Sequence, residues 1–107
     1  MILSTWLRDR SAASPPRLAA RVEEMLGVGL DADVSDAPRI FVRAAETLLR
    51  DVLARPSAGR DIALDLLTVD ALATYAFEAA SADARSLPAL ADDAMRRFAA
   101  TARASSA

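Results

Sequence analysis

Residues 61–80 read DIALDLLTVDALATYAFEAA. The run is long enough for a five-turn helix and apolar on nearly every side, so the way it is covered decides the fold. A membrane span is set aside first. Asp61, Asp65, Asp70 and Glu78 fall inside the run, and a charge near a bilayer centre costs about 3 kcal/mol on insertion scales. On a helical wheel at about 100° per residue, Ile62, Leu66, Val69, Ala73, Ala76, Phe77 and Ala80 gather on one face. A second apolar line, Leu64, Leu67, Ala71 and Tyr75, is separated from it by Asp70, Thr74 and Glu78. Asp61, Asp65 and Thr68 mark another wet strip in the first half.

Such a helix has to be covered along both lines. The first line is the expected core face. The second has two possible covers: another helix of the same chain, which makes this the central helix, or a second copy of the chain. In the second case Leu64, Leu67, Ala71 and Tyr75 belong to an interface, most commonly a two-fold one. Alanines 71, 73, 76, 79 and 80 let neighbouring helices come close. A core with thin alanine layers rests on few large side chains, expected to be Phe41, Leu66, Phe77 and Phe98.

Outward from this run the other elements follow from start and stop signals. A short helix is expected over Leu3–Arg10, capped by Ser4 and anchored by Trp6 and Leu7. After the break SAASPP, a hydroxyl at Ser14 and a proline at position 15 start a helix from about Pro15 to Leu26, and Gly27 ends it. Its stripe is Leu18, Val22, Met25 and Leu26. Residues 27–36, GVGLDADVSD, read as a loop. Ser35 or Asp36 then caps a helix from Ala37 to about Ala54, with Pro38 tolerated in its first turn. Phe41, Ala45, Leu48 and Val52 form its stripe, widened by Ile40, Ala44, Leu49 and Leu53. Ser57 is expected to cap the helix containing the opening run, which continues to about Ala82. Ser86 is expected to cap the last helix, Leu87 to about Arg103, with Asp92–Arg96 and Asp93–Arg97 as i, i+4 pairs on its wet side. Glu46–Arg50 is a third such pair. The final ASSA is expected to fray. No strand alternation is present. The reading is all-α: one domain over residues 1–107, a small bundle of four main helices plus a short N-terminal helix.

Composition narrows the chemistry more than it suggests any. The chain has no Cys, His, Lys, Asn or Gln, and all 13 basic residues are Arg. Excess Ala and Arg without Lys or Asn is the mark of GC-rich coding and points to a bacterial source. Without His no side chain titrates near neutrality unless a carboxylate is strongly perturbed. Without Cys or Lys there is no thiolate, disulfide or Schiff base, and the usual zinc ligands are missing. The net charge of −2 gives no bulk attraction to nucleic acid. The opening MILSTWLRDR lacks a basic stretch followed by a long apolar run, so a cytoplasmic protein is expected.

The candidate sites each have a plainer reading. Asp61 and Asp65 at i, i+4 suit a hard cation, but carboxylates near a helix start are also favoured by its dipole. Asp70 and Glu78 lie about 12 Å apart along a helix, too far to share one substrate atom, and ion pairs to Arg39, Arg43 or Arg50 are the expected fate of that strip. Asp31, Asp33 and Asp36 resemble a piece of a calcium loop without its required glycine and glutamate. Arg96, Arg97 and Arg103 are too diluted by Asp92 and Asp93 for a DNA-reading helix. Trp6, with Ile2, Leu3 and Leu7, either folds back over the bundle as a lid or inserts into a partner. No motif is specific enough to name a family. The expectation is a small non-enzymatic interaction or regulatory module, able to act as a homodimer, with no catalytic residue, cofactor or metal and no nucleic-acid or membrane partner. Its candidate interface is Leu64, Leu67, Ala71, Tyr75 and Trp6. The alternative is a binder of a small apolar ligand in the bundle core beside Phe77 and Tyr75.

Overall fold

The computed structural model describes residues 1–56, 59–81 and 87–106. Among them lie five α-helices: α1, Leu3–Ser11; α2, Pro16–Leu26; α3, Ala37–Ala54; α4, Arg60–Ala80; and α5, Leu87–Ser106. Two short 3-10 turns, Gly27–Asp31 and Val34–Asp36, join α2 to α3. The fold is a small all-α bundle of four main helices and a short N-terminal one. The expected caps Ser57 and Ser86 lie outside the described residues.

The helix ends follow local chemistry, with several corrections to the caps. Proline at the start of α2 has no N–H to orphan, and Pro15 is itself the N-cap residue. Ser14 therefore does not cap. Its hydroxyl lies 3.5 Å from the Tyr75 hydroxyl instead. Ser4 does not cap α1 either, because the helix already starts at Leu3 behind Ile2. Gly27 ends α2 at φ 52°, a left-handed value glycine adopts without a Cβ clash. Ahead of α3 the capping side chain is neither Ser35 nor Asp36. Asp33 accepts a bond from the Ser35 backbone N–H at 2.9 Å, closing the turn that feeds the helix. The C-terminal tail stays helical to Ser106 rather than fraying after Arg103. Two hydroxyls hold it there: Ser105 donates to the Leu53 carbonyl at 3.3 Å and Ser106 to that of Ala102 at 3.0 Å.

α3 and the helix of the 61–80 run, α4, each pack on the other three main helices, and α3 buries more of its residues. Phe41, Val42, Ala44, Ala45, Leu48 and Val52 are all buried along α3. Gly29 makes room for this helix from the loop side, because a Cβ there would sit 2.9 Å from the Ile40 side chain. α1 closes one end of the core. Leu3 and Leu7 are fully buried, and the segment before α1 is pinned to the α2–α3 connection by backbone bonds from Leu3 to Ala32 and from Val34 to Met1, at 2.8 and 2.9 Å. Trp6 folds back over the bundle. Its ring lies 5.7 Å from Phe41 and 6.1 Å from Tyr75, and those two rings are 5.6 Å apart. The three form a mutually tilted cluster of the kind aromatic quadrupoles favour. Arg10 covers the indole at 4.2 Å and pairs with Glu78 at 3.3 Å.

α4 seats itself differently from the expected two-line scheme. Its buried residues are Asp65, Thr68, Leu72, Ala76 and Ala80, spaced i, i+3, i+7, i+11, i+15. The two apolar lines are the shoulders of this one broad face. Val69 from the first and Ala71 and Tyr75 from the second pack against the core cluster. Leu66 and Phe77, expected in the core, are exposed (48% and 38%), and the strip of Asp65 and Thr68, expected wet, is buried. The helix is thus covered on one side only.

Candidate functional site

The buried carboxylate is the first feature to explain. The Asp65 side chain is 6% exposed, and an isolated ion in that position would be very costly. It is not isolated. Arg21 of α2 donates Nε to Oδ1 at 2.8 Å and Nη2 to Oδ2 at 3.4 Å, a bidentate fork. Arg55, just past the end of α3, donates Nη2 to Oδ2 at 2.6 Å and also grips Asp51. The hydrogen bond from Arg21, aided by Arg55 and opposed by burial, holds the Asp65 carboxyl below its ordinary range. The guanidiniums of Arg21 and Arg55 are raised in return, chiefly by Asp65 and by Asp51 respectively. One side chain of α4 therefore clamps the end of α3 and the middle of α2. Thr68, beside it, donates its hydroxyl to the Leu64 carbonyl at 2.8 Å, so the second buried polar group is also satisfied. Among the described residues no buried side-chain polar atom lacks a partner.

This arrangement removes Asp65 from the pair that suited a hard cation, since both its oxygens face guanidiniums while Asp61 lies exposed. Among the described residues no three Asp or Glu side chains converge as metal ligands would. Glu78 pairs with Arg10, not with the arginines of α3. The expected pairs Glu46–Arg50, Asp92–Arg96 and Asp93–Arg97 form at 3.3, 3.0 and 2.9 Å, and Arg97 also reaches Glu46 across the α3–α5 seam at 3.5 Å. Asp33, in the acidic loop, faces Ser35 and the N-terminal amine, the latter at 3.7 Å.

The other side of α4 is bare and mixed, with Leu66 and Phe77 on one edge of the exposed Asp70–Thr74 strip and Leu67 and Glu78 on the other. Ala63, Leu66, Leu67 and Phe77 lie on it with Asp70 and Thr74, and Leu67 is 59% exposed. Of the expected interface residues, only Leu67 lies here. Leu64, Ala71 and Tyr75 are half-buried on one shoulder of the inward face, and Trp6 is half-buried in the aromatic cluster. The structure thus splits the expected group. It places on the same side as Leu67 two residues, Leu66 and Phe77, that sequence reasoning had assigned to the core. Leu72 was the missed signal. It sits between the two apolar lines, and the i, i+4, i+8 series Leu72, Ala76, Ala80 extends back to Thr68 and on to Asp65.

A separate cleft of about 700 Å³ opens at the end of the bundle, where α4 finishes and α5 begins. Trp6 and Val34 line one side, Pro38 and Arg39 of the first turn of α3 another, and Ala80 and Leu90 the rest of its apolar floor. Neither Phe77 nor Tyr75 lines it. No helix among the described residues is long and apolar enough to cross a membrane. Comparison with protein-family models, with curated proteins and with solved structures finds no match for the chain in any of the three.

Proposed function

We propose that the chain is a small non-enzymatic interaction module that receives an amphipathic helix of a partner protein on the outward face of α4. One observation carries this reading: Leu66, Leu67 and Phe77 stand exposed on one side of a helix whose other side is fully seated. Grouped apolar exposure of this sort marks interaction surfaces more often than scattered single residues do. A helix laid along it would use anchors spaced like its own.

Charge selects the partner. Residues 61–80 contain four carboxylates and no cation, and Asp70 lies on the face itself. Pairing this stretch with the same stretch of a second copy would bring only acidic side chains beside the apolar contact, the one arginine of α4 standing at its first residue, position 60. A partner helix with arginine or lysine flanking its apolar stripe meets Asp70 with the opposite sign. The absence of His, Cys and Lys and the engagement of Asp65, Asp93 and Glu78 in ion pairs support a role without catalysis.

The test uses two labelled helical peptides of equal length, one built of Leu and Arg, the other of Leu and Glu, with binding read by fluorescence anisotropy. The Leu/Arg peptide is expected to bind, and Leu66→Ser with Leu67→Ser to weaken it about tenfold or more, as loss of two interface anchors does. These substitutions leave the charge unchanged, so they separate docking from bulk attraction. Equal binding by both peptides, or indifference to the double substitution, overturns the proposal. Sedimentation showing a dimer that the same substitutions dissolve would assign the face to a second copy instead.

A further inference from the structure

We propose that the cleft where α4 meets α5 binds a small amphipathic acid, its apolar body on Trp6 and Leu90 and its carboxylate at Arg39. This site is separate from the outward face of α4 and does not rest on the docking role. The space exists because the walls are made of small residues. Ala79 and Ala80 end α4 and Ala89 lies in the first turn of α5, all three lining the cleft. Larger side chains at these places would fill it. Its volume of about 700 Å³ falls within the roughly 300–1,000 Å³ typical of small-molecule sites, which are mostly apolar with a few polar groups fixing orientation. Trp6 lines the cleft and is held in place by the cluster with Phe41 and Tyr75, with Arg10 lying over its ring.

Among the described residues, the charges that line the cleft set the sign of the polar end. Asp93 lines the cleft, but its carboxylate accepts from Arg97 of its own helix at 2.9 Å. The N-terminal amine of Met1, a second lining residue, faces Asp33. Arg39 is exposed at the rim, on the first turn of α3. A planar guanidinium meets a carboxylate with two parallel hydrogen bonds, and a hydrocarbon or aromatic tail then lies over the apolar floor. A neutral ligand with the same tail keeps the floor contact and loses the head contact.

Trp6 is the only tryptophan of the chain and lines the cleft, so its emission reports occupancy directly. Titration with decanoate below its micellar range is expected to change Trp6 emission saturably, with 1-decanol binding more weakly. Arg39→Ala should weaken decanoate about tenfold, the scale of one charge-assisted bidentate contact, and leave decanol unchanged. Ala89→Phe, at an exposed position, should block both. Absence of saturable binding by the wild-type chain overturns the site. Equal affinity for decanoate and decanol, or binding of decanoate unaltered by Arg39→Ala, overturns the acid as its ligand. If Ala89→Phe fails to fold, the wild-type and Arg39→Ala titrations still decide the question.

Discussion

The two sides of α4 invert the usual rule. Its inward side buries a carboxylate and a hydroxyl, Asp65 and Thr68, while its outward side leaves two leucines and a phenylalanine in water. Neither side contradicts physical chemistry. Asp65 is tolerable inside because two guanidiniums reach it from other elements, and Thr68 because its own helix accepts its proton. Leu66, Leu67 and Phe77 are outside because no helix among the described residues lies over them. Side-chain polarity sets what burial costs. The neighbours decide whether the cost is met.

The largest effect expected of this contrast is at Leu72, the centre of the inward side. Leu72 is completely buried, so Leu72→Ala removes packed methyl groups and leaves a cavity, costing about 3 kcal/mol. Against a total of about 5–15 kcal/mol for a domain of this size, that is a large share, readable by urea unfolding. A loss below about 1 kcal/mol would mean that the inward side is not the principal seat of the helix.

The element boundaries were legible because their signals are local. Pro15 and Pro16, Gly27, and Arg55 with Pro56 each act on their own turn, and the i, i+4 pairs of α5 are set within one helix. The seating of α4 was not local. The partners of Asp65 lie 44 and 10 residues away in the chain, so a wheel drawn from α4 alone counts the carboxylate as wet and rotates the apolar face away from it. Two apolar lines flanking Leu72 then look like two faces, whereas Val69, Ala71, Tyr75 and Ala76 all pack round it on one. Close approach through the alanines of the 61–80 run holds at Ala76, which is fully buried in the core. At the end of α4 the same small residues leave the cleft instead, because what lies opposite them is set by the whole fold.

Asp65→Asn is the next sharpest test, since it keeps the shape and removes the charge. Breaking a fully buried pair costs about 3–5 kcal/mol. Here Arg21 and Arg55 keep 22% and 28% of their side chains in contact with water, so about 2–3 kcal/mol is expected. The pH dependence carries an independent signature. The folded carboxyl of Asp65 titrates below its unfolded value, which is near 3.9. The unfolded state therefore binds the proton first as pH falls. The contribution is fully present above about pH 4–5 and is lost as pH drops through the lower, folded value. Asp65→Asn should flatten the acid limb of a stability–pH curve. Some slope should persist, because hydrogen bonds from Ser35 also hold Asp33 below its ordinary range. An acid limb identical to that of the wild type would show that the two arginines do not stabilise the ionised form.

The smallest effect is expected on the outward side and tests the contrast from the other direction. Leu67 has more than half of its surface in water, so Leu67→Ala removes little burial, and alanine is at least as good a helix former. In a dilute, isolated chain the change should stay within about 0.5 kcal/mol, the range of an ordinary surface substitution. The same substitution should nevertheless weaken the Leu/Arg peptide, because the methyl groups it removes are those the partner covers. Stability and docking are then governed by opposite sides of one helix. A loss at Leu67 comparable to that at Leu72, appearing only as the protein concentration rises, would show that self-association covers the face and that its stability depends on the number of copies present.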